Sequence, residues 1–449
     1  MEKTVEYILL RIPFVNKRLD AHTQEIIGGT SVAFVLKLFG AGLSFGFNVV
    51  LARMLGADGA GVFFLALTVI MTASVISRIG LDNTLLRFIA SNASEGNWKA
   101  MKGIYQKGIS IAFAASAIAT IFMFVISPWL AEAVFSKPEL AGTLRWMSAA
   151  IIPMSMLYLY AEMLKGLKRI RDSLLVQGVG FSGISLVVFY FFSGGWGVKG
   201  AAFACIFASL LTAFMGYFLW YNATPQIKGI AGNFRIGSLL KSCIPLWAVA
   251  VMNTVMNWSA VFILGIWHSE ADVGIFSAAS RTAMLIAFIL IAVNSIAAPK
   301  FAALYSQGDM KALESTVRNS AKLLTLFATP ILFLFILFPG HVMEIFGSQF
   351  TAGSSVLMII SIGQFVNVIT GSVGFLLMMS GNERLLMNNI ASSALISLLL
   401  SFMLIPHYGI IGAAVATAMS VIVRNIMASY FVYRAMKIVT IPWPGFMIR

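Results

Sequence analysis

The chain has 449 residues, of which 59% are hydrophobic and 11% charged, and its mean hydropathy is +0.90. A soluble domain carries about 25% charged residues, so this composition excludes a soluble globular protein and indicates a membrane protein. The formal net charge of +14 is attributed to basic loops beside anionic lipid and does not argue for nucleic acid. Cys205 and Cys243 both fall in or beside apolar segments, so no disulfide framework and no metal set are expected.

The chain begins with an amphipathic stretch and continues with long apolar segments. Over residues 1–26, apolar positions alternate helically with Lys3, Glu6 and Arg11, which predicts a helix on the cytoplasmic surface of the membrane. The apolar segments that follow predict an all-α integral membrane protein with about twelve transmembrane helices. The predicted spans are 27–51, 60–80, 105–127, 143–164, 173–193, 198–221, 240–266, 273–297, 320–338, 353–379, 385–405 and 409–433.

The basic residues of the predicted loops are divided unequally between the two sides of the membrane. Most lie on the side of the N-terminus, whereas the opposite side has only Arg53, Lys137, Arg145 and Lys199. Because basic loops stay inside, both termini are predicted to be cytoplasmic, in the inner or plasma membrane of the cell.

Two halves of the chain repeat each other at an offset of about 212 residues. The segment Gly59–Phe63 returns as Asp272–Phe276, and Gly197–Ala202 returns as Gly409–Ala414. Six helices is an even number, so both halves have the same orientation and face each other across a central cavity. The predicted organisation is a six-helix lobe over 27–222, a cytoplasmic linker over 223–237 and a second six-helix lobe over 238–449.

The first predicted outer loop carries a recognisable stretch. Residues 51–63, residues 81–88 and the two glycine-rich repeats resemble the polysaccharide flippases of the O-antigen and teichoic-acid (Wzx-like) type. Their superfamily also holds multidrug extruders and lipid II flippases. The resemblance implies two six-helix lobes that move a polyprenyl-diphosphate-linked oligosaccharide outward by alternating access. It also implies membrane lipids, and glycan-assembly enzymes, as partners.

Away from the ends of the predicted spans there are three cations: Lys37, Arg281 and Arg424. Lys37 lies about 15 Å along its helix, near the middle of a hydrocarbon core about 30 Å thick. A charge there costs roughly 2.5–3.5 kcal/mol on insertion scales, and such residues usually mark a pathway or a site. With no Asp or Glu in the middle of any span, a diphosphate would supply the missing anion. Structural contacts with helix carbonyls are the alternative.

Polar residues within the spans, and basic residues at their inner ends, complete the predicted substrate path. Asn48 shares a helical face with Lys37, while Asn253 and Asn257 are four residues apart. These amides line the cavity against sugar hydroxyls or bond a neighbouring helix. Arg78 either snorkels or forms a gate at an inner span end. Arg87 and Lys300, at equivalent inner positions, attract headgroups or only face lipid and set topology.

The chain lacks the signatures of other chemistries. It has no phosphate-binding Gly-x-x-x-x-Gly-Lys-Ser/Thr loop, no metal-ligand cluster and no nucleophile–base pair, so we expect a transporter without a cofactor rather than an enzyme. A cation-coupled drug extruder is the first alternative, but it needs a membrane-buried carboxylate. A glycosyltransferase or polymerase needs an acidic site on a sizeable loop, and the loops here are short. A scramblase without directed transport is a third alternative.

Overall fold

A computed structural model describes residues 21–234 and 236–442, and all regular structure in these ranges is helical. The predicted all-α class is therefore confirmed for that part of the chain. The predicted amphipathic helix over 1–26 lies mostly outside it. The main helices are α1 (Ala21–Ser77), α2 (Leu81–Ser94), α3 (Trp98–Trp129), α4 (Pro138–Ser148), α5 (Ile151–Gly166), α6 (Ile170–Leu174), α7 (Phe181–Ala223), α8 (Ile236–Trp267), α9 (Glu270–Ser306), α10 (Met310–Leu337), α11 (Pro339–Glu344), α12 (Ser354–Ile369), α13 (Val373–Met379) and α14 (Glu383–Met436).

The protein crosses the membrane many times. In the described residues, 9 helices are long and apolar enough to span it, or 10 if the bent pair α4–α5 is one span. Among these, α1 has 57 residues and α14 has 54. At 1.5 Å per residue each is about 80 Å long, more than twice the thickness of a hydrocarbon core. Counting each as two spans supports the predicted total of twelve, which stays a prediction.

Glycines divide the longest helices where the sequence predicts loops. Gly56 interrupts α1 with φ 68° and ψ −175°, a conformation essentially restricted to glycine. Gly197 interrupts α7 with φ 49° and ψ −130°, and Gly409 interrupts α14 with φ 55° and ψ −131°. The last two residues are equivalent in the predicted repeat. Their matching dihedral angles support the repeat at the level of the backbone.

Other predicted spans differ from the observed helices. The span predicted over 143–164 is split into α4 and α5, which meet at an angle of 50°. The span predicted over 353–379 is interrupted between α12 and α13, because Gly371 has φ 72°. Wide turns with π-type hydrogen bonding cover Leu130–Val134 and Leu175–Gly180. Hydrophobicity does not reveal such breaks, because the interrupting residues are themselves apolar or small.

Helix α1 of the first predicted half packs against α9 of the second at two glycines, which have no side chain. A Cβ placed on Gly61 would overlap the carbonyl oxygen of Glu270, and one placed on Gly274 would overlap that of Ala57. Gly61 and Gly274 are equivalent in the repeat, as are Ala57 and Glu270. The contact is therefore reciprocal, which is the signature of a two-fold arrangement.

The apolar core is shared at one end of the molecule and divided at the other. The largest buried cluster draws on both halves and is centred near the predicted outer end, with Leu51, Phe63 and Phe276 among its members. Two separate clusters lie near the predicted inner end. One packs Leu85 and Leu159 of the first half beside the start of α8. The other packs residues of the second half around Phe301.

Candidate functional site

Lys37 lies half-buried in the first part of α1, on a face that comes close to the chain around Gly178. A Cβ on Gly40 would lie 3.2 Å from the backbone carbon of Gly178, so the two segments nearly touch. Gln177, the residue before Gly178, accepts a hydrogen bond from Lys165 at 3.2 Å, so a second lysine is tied to this segment. Lys165 is itself held by Glu162 at 2.5 Å. No described carboxylate forms an ion pair with Lys37.

Arg281 lies where the two predicted halves meet. Its guanidinium carbon stands 4.6 Å from the ring centroid of Phe64, which belongs to α1. The side chain is half-buried, and no carboxylate in the described part of the chain pairs with it. One turn earlier, the buried hydroxyl of Ser277 has no hydrogen-bond partner. An arginine and an unpartnered hydroxyl on one helical face can both donate hydrogen bonds to the oxygens of an anion.

Arg424 is also half-buried in the second half, without a described acidic partner. Its Nη1 lies 3.6 Å from the sulfur of Met256 on α8. The hydroxyls of Thr417 and Ser420 bond carbonyls of their own helix, so they leave the guanidinium free. Thioether sulfur is a weak acceptor and cannot replace an anion. Arg424 therefore keeps its capacity for charged hydrogen bonds.

The three predicted asparagines occupy different surroundings. Asn48 is buried, and its Nδ2 donates to the carbonyl of Ser44. The half-buried Asn253 donates to the carbonyl of Val249 in the same way. Asn257 is exposed and makes no described hydrogen bond. Of the three amides, that of Asn257 is the most available to a ligand, and the lining role of all three stays a prediction.

Arg78 is tied into a buried polar cluster. Its Nε lies 2.8 Å from the carboxylate of Asp82, its Nη1 donates to Ser74, and its guanidinium stands 4.6 Å from the ring centroid of Tyr158. Ser77, Ser116 and Ser155 continue the cluster through hydroxyl–hydroxyl hydrogen bonds. The side chain of Arg78 therefore does not snorkel, and its charge is already paired. Its predicted role as a gate would require this cluster to open.

Arg87 and Lys300 are both exposed, on α2 and near the end of α9. Neither forms a described ion pair, so both are available to lipid headgroups. No described contact joins Lys37, Arg281 and Arg424 to one another. The structure thus places the predicted cations on three different helices, each beside a different neighbour.

Contacts between the halves close the predicted outer end. Arg53 donates to the carbonyl of Ile345 at 2.7 Å, and the amide of Ala57 donates to the side chain of Gln349 at 3.0 Å. Lys137 donates to the carbonyl of His268 at 2.6 Å. The loop of Arg53 is therefore fixed by the opposite half of the chain.

Comparisons with known proteins agree with this architecture. The profile of the family described as polysaccharide biosynthesis protein matches residues 26–305, more than half of the chain. The chain belongs to the polysaccharide biosynthesis protein family. A probable low-salt glycan biosynthesis flippase, Agl15 of Haloferax volcanii, is 25% identical over 402 residues, which cover 89% of this chain and 81% of that protein. A candidate O-antigen transporter of Shigella flexneri is 21% identical, with coverage of 86% and 92%.

Solved structures show the same fold for this member of the polysaccharide biosynthesis family. The lipid II flippase MurJ, in an inward closed conformation, aligns with a TM-score of 0.73 at 15% identity, covering 90% of this chain and 87% of that one. An inward-facing multidrug transporter of the MOP superfamily aligns with a TM-score of 0.72 at 15% identity, covering 91% and 98%. The resemblance found in the sequence is confirmed.

The sequence left two groups of residues unassigned. Asp82 follows Arg78 by four residues, a spacing that predicts an ion pair on one helical face. A second group, which includes Asp58, Glu139, Trp146 and Trp196, lines a cavity at the predicted outer end. Its members come from three predicted loops or span ends, and only the fold brings them together.

Proposed function

We propose that this protein is a flippase that moves a polyprenyl-diphosphate-linked oligosaccharide from the inner to the outer leaflet. Its family and its similarity to Agl15 and to a candidate O-antigen transporter support flippase function in glycan biosynthesis. The same relatives are flippases and transporters, which supports transport rather than enzymatic catalysis. The cytoplasmic membrane, with both termini inside, is the location that the distribution of basic residues favours.

The observation that carries the proposal is the environment of Arg281. This residue lies between the predicted halves, on the ring of Phe64 and near the unpartnered hydroxyl of Ser277. A guanidinium pairs two of its N–H groups with phosphate oxygens, so a diphosphate suits it better than a neutral ligand does. Lys37 would add a point charge from the first half, and Arg424 a second guanidinium. The proposed site therefore draws on both halves.

Alternating access explains how the bound headgroup crosses. The large shared core and the contacts between the halves near the outer end support a form closed to the outside. The headgroup enters from the inner leaflet while the prenyl tail stays in lipid. The halves then rock about their contact, and the outer contacts of Arg53 and Lys137 break to release the sugar.

Proteoliposome transport tests the proposal. We expect Lys37→Ala and Arg281→Ala to abolish arrival of a labelled prenyl-diphosphate sugar in the opposite leaflet, because each removes a cation from the diphosphate site. Arg281→Lys should retain part of the transport rate, since it keeps the positive charge but loses the bidentate hydrogen bonding of the guanidinium. Lys322→Ala removes an equally positive but exposed side chain and serves as the control.

The result is decisive in both directions when folding is monitored by size-exclusion chromatography. Normal transport by both alanine variants would disprove the role of the cations. Equal loss in Lys322→Ala would show a general effect of charge rather than a diphosphate site.

A further inference from the structure

A cavity of about 1110 Å³ opens near the predicted outer end of the protein, apart from the predicted cations. Four breaks in helical structure surround it: the chain after Gly56, the turn before α4, the chain around Gly197 and the start of α9. Its volume is slightly above the range of about 300–1,000 Å³ that is usual for pockets that hold small organic ligands. The fold therefore offers a recess where a helix bundle would otherwise be closed.

The charged lining of the cavity is mostly acidic. Asp58, Glu139 and Glu270 line it together with one cation, Lys199. None of the three carboxylates has an ion-pair partner among the described residues. In that same part of the chain, no group of three metal-binding side chains is close enough to hold a metal ion. The carboxylates are therefore free to accept hydrogen bonds from an organic ligand.

Two indole rings and one buried hydroxyl complete the lining. Trp146 is 60% exposed, and Trp196 is 56% exposed although its ring also contacts Phe192 and Phe203, so both indoles keep surface for a ligand. Thr143 also lines the cavity although it is only 5% exposed, and its hydroxyl makes no hydrogen bond to any described residue. A residue buried to this degree that keeps an unpartnered hydroxyl towards the cavity offers a polar ligand a fixed hydrogen-bonding group.

Sugar rings match this combination. Their C–H faces pack on the electron-rich faces of aromatic rings, while their hydroxyls donate to carboxylates. We propose that the cavity binds sugar rings of the transported glycan and that it favours neutral and amino sugars over uronic acids. The identity of the ligand rests on the proposed flippase function, whereas the sugar-binding site itself does not. The acidic excess disfavours a carboxylate-bearing sugar and attracts an ammonium.

Binding of lipid-free sugars to the full protein in nanodiscs tests the proposal. The probes are a glucosamine tetramer, its N-acetylated form and a galacturonic acid tetramer, measured by isothermal titration at low salt. We expect the amino sugar to bind at least about tenfold more tightly than the uronic acid, a difference that shrinks at high salt. Replacing all three carboxylates by amides, as Asp58→Asn, Glu139→Gln and Glu270→Gln, should remove that difference.

Matched variants separate the cavity from the general surface. Trp146→Ala and Trp196→Ala should each weaken binding of the N-acetylated tetramer by about fivefold or more. Trp129→Ala and Glu132→Gln are the controls, because both residues are exposed near the same end and do not line the cavity. Trp146→Phe and Trp196→Phe keep an aromatic face and should keep most of the affinity, which excludes misfolding as the cause.

Two outcomes would overturn the inference: no binding of any tetramer, or binding that the cavity variants and the controls weaken alike. The proposed function is tested independently. Sugar binding without transport of a prenyl-diphosphate sugar would contradict the flippase alone. Transport without cavity-dependent sugar binding would contradict the cavity site alone.

Discussion

Arg78 and Arg281 show two ways in which a bilayer-spanning protein holds a guanidinium. Arg78 has a carboxylate, a hydroxyl and an aromatic ring around it, all from the first half of the chain. Within the described part of the chain, Arg281 contacts the ring of Phe64 from the opposite half and pairs with no carboxylate. The first arrangement is complete without a ligand. The second leaves N–H groups unused, which is the arrangement a transported anion requires.

The Arg78–Asp82 pair gives a prediction about stability. Asp82→Asn removes the partner of a buried cation, and breaking one side of a buried ion pair costs about 3–5 kcal/mol. We therefore expect a clear fall in the unfolding temperature of the detergent-solubilised protein. Asp172→Asn is the control, because its partner Arg169 has a side chain that is 48% exposed, and an exposed pair contributes about 1 kcal/mol or less. Equal shifts in the two variants would contradict the buried-pair interpretation.

At the residue scale, the sequence identifies cations within spans but not the hydrogen bonds of amides, and the roles of both stay predictions. Hydropathy shows which cations lie within a span, so the sequence alone is enough to identify Lys37 and Arg281 as cations within the membrane. Hydropathy does not show which helix carbonyl an asparagine prefers. Asn48 and Asn253 each donate to the carbonyl four residues earlier, a local alternative that competes with lining a cavity.

At the scale of helices, the crossing of α1 and α9 depends on two glycines. Gly61→Ala and Gly274→Ala would each push a Cβ into a backbone carbonyl of the opposite half. The outer contact should therefore loosen, and we expect a longer distance between spin labels on the exposed positions Met54→Cys and Ser348→Cys, in a background with Cys205→Ser and Cys243→Ser. Gly42→Ala is the control, since nothing lies within 4 Å of its Cβ position. An unchanged distance in both crossing variants would contradict this role.

The break at Gly197 gives a second prediction for helices. Its φ of 49° is strained for any residue with a side chain, and no atom lies within 4 Å of its Cβ position. Gly197→Ala should therefore lower the unfolding free energy through backbone strain alone, by about 1–3 kcal/mol. Gly237→Ala has equally open space without the unusual φ, and thermal unfolding of the two variants should differ. Similar behaviour would show that the break tolerates a side chain.

The sequence predicted where α1, α7 and α14 divide but not how. Turn residues and the repeat mark Gly56, Gly197 and Gly409 as loop positions. The backbone instead stays nearly helical around each glycine, because a single left-handed residue is enough to redirect the chain. The interruption at Gly371 was not predicted, since the short polar stretch 370–372 lies between two apolar segments that together read as one span.

For the molecule as a whole, the proposed direction of transport depends on charge. A negative headgroup that moves outward across an inside-negative membrane gains about 2.3 kcal/mol per charge per 100 mV. We therefore expect outward flipping in proteoliposomes to accelerate when a potassium diffusion potential makes the interior negative, and to slow when it is reversed. A rate insensitive to potential would show that another gradient drives the step.

The helical membrane class of the molecule was predictable because bilayers restrict the choice of structure, whereas the layout in two lobes stays a prediction. Long apolar segments must be helices, and an internal repeat implies two similar halves. The distribution of the core was not predictable, since hydrophobicity is equally high at both ends of each span. Only packing shows that one large cluster with Phe63 and Phe276 lies at one end, and that two smaller clusters lie at the other, one of which joins Leu85 to Cys243 of the second half.

The contact between α1 and α9 at Gly61 and Gly274 has a consequence for how the chain evolved. Each contact that Gly61 makes with the second half is returned by Gly274 to the first, which is how two copies of one chain meet in a homodimer. A half-length ancestor with this glycine could already pair with itself. Gene duplication and fusion would then have added only the connecting segment. The two halves would have diverged in sequence elsewhere, while each retained its glycine at the contact.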